Sequence, residues 1–221
     1  RDLPPEPVIP FAAHILFEDD HLLVADKPHF LPVTPAGRFL SETLLTRLRR
    51  ETGIDDLVPL HRIDRETAGL VLFSKRPVSR EQYSALFRER RINKVYEVIA
   101  PLNPRLSFPL RYCSHLQAGT PFFRMETGDG VANSETFIEL LMAQSGWGHF
   151  LVRPVTGRKH QIRVHFAALD MPILFDAIYP IVWPEVEADQ ITYDRPLQLL
   201  ASQLSFDDPL TGASRSFKSE R

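Results

Sequence analysis

Gly69-Leu70-Val71-Leu72-Phe73 is a wholly apolar run of strand length, and a strand with no polar side has to be covered on both faces. The chain must therefore set this segment inside a sheet and supply cover from flanking elements. Directly before it stands Val58-Pro59-Leu60-His61-Arg62-Ile63-Asp64-Arg65-Glu66-Thr67-Ala68, in which a carboxylate lies between two arginines. In an extended segment Arg62 and Asp64 project to one face, and His61, Ile63 and Arg65 to the other. An aspartate near a guanidinium stays ionised, as a nucleophile must. The same spacing suits an Asp–Arg ion pair that ties a loop to the sheet, and spacing alone leaves both readings open.

Elsewhere the pattern is mixed. Ile15-Leu16-Phe17 and Leu22-Leu23-Val24-Ala25 flank Glu18-Asp19-Asp20 and predict a β-hairpin. Ser41 is expected to cap a helix carrying Leu44, Leu45 and Leu48, which stops at Gly53. Ser79 with Gln82 has the form of a capping box ahead of Tyr83, Leu86 and Phe87 at helical spacing. Lys94 to Ile99 and Phe150 to Val155 predict strands. A third helix, expected from near Thr156, puts Ile162, His165, Phe166 and Leu169 on one face. Residues 101–135 are rich in proline, glycine and polar residues, and are expected to form hairpins or loops away from the main sheet. Strands and helices without strict alternation favour an α+β fold. Residues 1–13 predict an extended arm or linker remnant and 14–221 one domain. A start without methionine implies a processed or trimmed chain.

Bulk chemistry removes several function classes. A single cysteine, Cys113, rules out an internal disulfide framework and leads to the expectation of a reducing, cytoplasmic setting. No apolar run approaches the roughly 20 residues that span a bilayer, so no membrane partner is expected. The formal charge of −2 does not point to nucleic acid, but only five of the 26 basic residues are lysine. The arginines cluster at 47, 49 and 50, at 62 and 65, at 88, 90 and 91, and at 158 and 163. Their planar forks suit phosphates and base edges, although many arginines simply solvate helix faces. A metal hydrolase would draw on His160 and His165 near Asp176, or His61 near Asp64. Ligands at i and i+5 on a helix diverge, however, and no third ligand has recognisable spacing. No metal and no cofactor is therefore expected. A glycosidase needs a second cooperating carboxylate, and none stands out. A non-catalytic RNA-binding module would use the arginines without needing Asp64.

Four ordered blocks resemble the RluA family of RNA pseudouridine synthases across roughly residues 14–205. They are Asp26-Lys27-Pro28 with Leu31-Pro32-Val33; His61-Arg62-Ile63-Asp64 with Thr67-Ala68-Gly69 and Lys75; Lys94-Val95-Tyr96; and Thr156-Gly157-Arg158-Lys159-His160-Gln161-Ile162-Arg163-Val164-His165 with Pro172-Ile173-Leu174 and Asp176. The resemblance implies a mixed, mostly antiparallel central sheet with flanking helices and a catalytic cleft, the pseudouridine synthase fold, over residues 14–221. It implies isomerisation of uridine in tRNA or rRNA with base flipping, by a protein expected to be a monomer. The catalytic candidates it assigns are Asp64 as nucleophile, Tyr96 against the target base and Arg163 paired with the aspartate. The RNA-binding candidates are Arg62, which would hold the vacated space, with Arg158, Lys159, His160, Gln161 and Leu199. Two departures stand out: Leu200 replaces a histidine between Leu199 and Ala201, and Phe175 replaces a glycine before Asp176.

Overall fold

The structure is a computed structural model and describes residues 6–184 and 192–221. The elements run β1 (His14–Glu18), β2 (Leu22–Lys27), α1 (Leu44–Thr52), β3 (Val58–Pro59), β4 (Ala68–Ser74), α2 (Pro77–Arg88), β5 (Asn93–Pro101) and β6 (Leu110–Ala118). They continue with β7 (Met125–Gly128), β8 (Ser134–Gln144), β9 (Trp147–Pro154), α3 (Gln161–Ala168), β10 (Leu199–Asp207) and β11 (Ser214–Lys218). The described residues fall into two compact units, one of residues 6–93, 192–193 and 201–221, the other of 94–184 and 194–200.

In the first unit the strand order is β1-β2-β4-β10, with β3 on β4 and β11 on β10. β2 and β4 are antiparallel from Leu22↔Ser74 to Lys27↔Gly69, and every residue of both is buried. Alternation along the pleat explains how. Leu23, Ala25, Val71 and Phe73 face one cluster with Leu44 and Leu48 of α1, while Leu22, Val24, Leu70 and Leu72 face another with Tyr83 and Leu86 of α2. Each such side chain contributes roughly 1.5–3 kcal/mol by leaving water. The apolar run is thus covered on both faces, as expected.

Helix boundaries follow local chemistry. α1 is capped by Thr43, whose Oγ1 accepts from Thr46 N at 3.2 Å, and not by Ser41. The Glu6 carboxylate accepts from the amides of Leu40, Ser41 and Glu42 at 2.7–2.9 Å, which holds residues 40–42 outside the helix. The arm is therefore docked, with Ile9 buried. Gly53 ends α1 in the left-handed region, φ 71°. Pro77 opens α2, since its missing N–H costs nothing there. Ser79 consequently lies inside the helix rather than capping it, and its Oγ pairs with His21 Nδ1 at 3.0 Å. Across the sheet, the buried Asp26 carboxylate accepts from Ser219 Oγ (3.0 and 2.9 Å) and Glu220 N (2.9 Å).

In the second unit the order is β5-β9-β8-β6-β7, again antiparallel throughout. Residues 101–135 are not apart from the sheet: β6 pairs with β8 from Leu110↔Ile138 to Ser114↔Ser134. Its exposed Arg111 and Cys113 mark the solvent face of a half-covered strand, whose polar alternation resembles a loop in sequence. α3 begins at Gln161, five residues after Thr156. The Gln161 Oε1 accepts from Thr156 Oγ1 (2.6 Å) and Arg158 N (3.1 Å), closing residues 156–160 into a turn before the helix. α3 buries Ile162 and Phe166 against Val98, Ile138 and Phe150.

His165 is fully buried among hydroxyls, with Nε2 bonded to Ser114 and Ser134 Oγ and Nδ1 to Thr136 Oγ1, all at 2.9–3.0 Å. Burial pushes its pKa down to about 4. The unfolded imidazole titrates near 6.5, so between these values the unfolded chain binds the extra proton. This contribution to stability is present above about pH 6.5 and is lost as pH falls toward 4, by about 3 kcal/mol in total. Urea unfolding between pH 7 and 4.5 is expected to show this loss, and His165→Gln to show a shallower dependence. Identical slopes in the two proteins would contradict the assignment.

Candidate active site

Asp64 lies on the loop between β3 and β4, half-buried, and the loop is fixed on both sides of it. Leu60 N donates to Leu72 O at 2.8 Å, and Leu72 N donates to His61 Nε2 at 3.1 Å. That bond requires an unprotonated Nε2, so His61 is neutral, with its ring stacked on Phe87 at 4.6 Å. Ile63 packs against the core cluster that holds Val71 and Phe73. After Asp64, Lys27 Nζ donates to Arg65 O at 3.0 Å and Pro28 O at 2.9 Å, and His29 Nδ1 donates to Glu66 O at 2.7 Å. Thr67 N closes a turn onto Asp64 O at 3.2 Å. The Arg65 guanidinium pairs with Glu66 at 2.8 Å and sits 5.4 Å from the Phe39 ring centroid.

Lys27 is fully buried at the end of β2. Desolvation pushes its pKa down to about 7, against the carboxylates of Glu66 and Asp64, which favour the ammonium. Burial likewise lowers the His29 imidazole, so its neutral Nδ1–H form grips the loop. Asp64 thus lies near the buried Lys27 amine, on main chain held at several points. Arg62, two residues before it, is exposed and reaches solvent from the same loop.

The second unit holds the other candidates. Tyr96 is half-buried on β5, opposite Val152 of β9, and packs partly on the cluster of Val98 and Phe150. Arg163, 2% exposed, donates from Nε to Asp176 Oδ2 (2.8 Å) and from Nη2 to Asp176 Oδ1 (2.7 Å). Asp176 also accepts from Ile178 N and Tyr179 N at 3.0 and 3.1 Å, so the pair's buried charge is well compensated. Arg158 and Lys159 are exposed in the turn before α3, and His160, in the left-handed region at φ 54°, bonds Tyr179 OH through Nδ1 at 2.9 Å.

Two of the RNA-binding candidates are buried. Gln161 is buried, and its amide nitrogen donates to Glu135 O and Thr136 Oγ1 at 2.9 Å while its oxygen closes the turn that carries Arg158 and Lys159. Leu199 is buried in the cluster of Ile173 and Leu197. Residues without a role assigned from sequence are Lys27 as a loop clamp, His29, Tyr179, and Asp176 as partner of Arg163. Lys27 is marked in sequence by the Asp26-Lys27-Pro28 block, which does not say which carbonyls it holds.

Among the described residues no group of three or more His, Cys, Asp and Glu could hold a metal ion, and no helix is long and apolar enough to cross a membrane. The sequence profile of the family described as RNA pseudouridylate synthase matches residues 21–168. An uncharacterized RNA pseudouridine synthase of Synechocystis is 33% identical over 182 residues, covering 79% of this chain and 60% of that protein. The chain therefore spans less than two thirds of that relative. The dual-specificity RNA pseudouridine synthase RluA of Escherichia coli is 30% identical, with 92% of this chain and 91% of that protein covered. Human RNA pseudouridylate synthase domain containing 1 superposes with a TM-score of 0.74 at 21% identity, over 98% of this chain and 86% of that one, a likeness of fold.

Proposed function

The chain belongs to the RluA family of RNA pseudouridine synthases, and from that membership we propose that it isomerises uridines in tRNA or rRNA to pseudouridine. The N1–C1′ bond of the target nucleotide breaks, the uracil turns, and a C5–C1′ bond forms as the C5 proton leaves to solvent and N1 takes up a proton in its place. Asp64 is the nucleophile, its carboxylate bonding to the ribose C1′ or uracil C6 and leaving again as the C5-linked product is released, and Arg163 balances its charge. Tyr96 packs on the flipped base, while Arg62 holds the space it leaves. Arg158 and Lys159 contact phosphates.

One observation supports this above the others: the two carbonyls that follow Asp64 are gripped by Lys27 and His29, which holds a half-buried carboxylate at a fixed place. Preorganisation of that kind serves a reacting group, since positioning supplies much of an enzyme's advantage. Incubating the native chain with tRNA or rRNA tritiated at uracil C5 is expected to release tritium into water. RNA that is bound with no release would instead support a non-catalytic RNA-binding module.

A further inference from the structure

The Tyr179 ring carries two guanidinium groups, that of Arg124 with Cζ 4.8 Å from the centroid and that of Arg163 at 5.5 Å. Both distances lie within the range of cation–π attraction, which strengthens as the ring is desolvated. Tyr179 is 3% exposed. Its hydroxyl is fixed at three points: it accepts from Met125 N at 2.7 Å, lies 3.1 Å from Met125 O and 2.9 Å from His160 Nδ1. Its own amide donates to Asp176 Oδ1, the oxygen that takes Arg163 Nη2. The ring is thus anchored to β7, to the turn before α3 and to the Asp176 loop, and it bears on the guanidinium from a direction that the carboxylate does not occupy. Arg124 is fixed in turn by Nη2 donating to Pro180 O at 2.9 Å.

We propose that Tyr179 is the positioning residue for Arg163: its ring face fixes the plane of the guanidinium that Asp176 holds along one edge. This rests on the proposed role of Arg163 beside the nucleophile. A carboxylate pair alone leaves an arginine free to rock about the bidentate edge, and a ring face removes that freedom. The quadrupole of the ring therefore matters in addition to its volume, which separates positioning from core filling.

The test replaces Tyr179 by phenylalanine and then by phenylalanines of increasing ring fluorination, which keep the shape and progressively withdraw the negative ring face. At saturating RNA, kcat is expected to fall by about tenfold from Tyr179→Phe to the pentafluorinated ring, with KM unchanged. A flat kcat, or a change in melting temperature alone, would overturn the proposal. A second readout does not depend on turnover: the Arg163 Nε–H resonance, identified by its loss in Arg163→Lys, is expected to shift across the series. An unmoved resonance overturns the proposal even if the chain releases no tritium, whereas an absence of tritium release with a shifting resonance counts against the proposed function alone.

Discussion

Asp64→Asn is expected to abolish tritium release from RNA labelled at uracil C5, with a loss of about a thousandfold or more. The amide has nearly the same shape as the carboxylate but neither its charge nor its nucleophilic lone pairs, so the substitution isolates chemistry from packing. The loop is expected to remain in place, because it is held at several other atoms: Lys27 on Arg65 O, His29 on Glu66 O, Leu72 N on His61, and Ile63 in the core. Circular dichroism, melting temperature and RNA affinity are therefore expected to match the native protein. Full activity in this variant would remove Asp64 from the nucleophile's role.

Gly69→Ala is expected to destabilise the first unit by more than about 3 kcal/mol, or to prevent folding. Gly69 has φ +111°, which L side chains rarely adopt. A Cβ there would also overlap the Ala201 carbonyl oxygen on β10 and lie 2.7 Å from both Ala201 C and N. These are main-chain atoms of a neighbouring strand, so no side-chain rotation relieves the clash. Gly146→Ala serves as a control, having φ +82° with nothing within 4 Å of the added carbon, and is expected to lose only about 1 kcal/mol. Urea midpoints measure both, and equal losses would show that conformational strain, not contact with β10, governs position 69. Because Gly69 pairs with Lys27, displacement of β4 should also loosen the clamp on Arg65 O and lower activity in any folded fraction.

What could be read from sequence and what could not divide along contact range. The apolar run of β4, the hairpin of β1 and β2, and the stop at Gly53 depend on alternation, turn chemistry and local backbone preference. Ser41 does not cap α1 because its amide and those beside it are taken by Glu6, 35 residues away, which leaves the cap to Thr43. Ser79 faced a similar competitor, with Pro77 claiming the helix start and His21 claiming the hydroxyl. β6 escaped because exposed Arg111 and Cys113 alternate with half-buried residues. For the site, the motif residues Asp64, Tyr96 and Arg163 were identifiable, but their supports were not. Lys27 and His29 act across 38 and 37 residues of chain, and nothing in their neighbourhood announces the carbonyls they hold.

The bond between Asp26 and Ser219 closes a span of 193 residues, within which the sequence of the whole second unit lies. During synthesis the second unit can therefore gather its strands while the first still lacks β10 and β11. Until residues 201–221 emerge, the edge of β4 away from β2 has β3 beside it but not β10, and Asp26 lacks Ser219 and Glu220. The restraints on the Asp64 loop, by contrast, come from Lys27, His29, His61 and Leu72, so the loop's clamp lies in the part of the chain translated before the second unit.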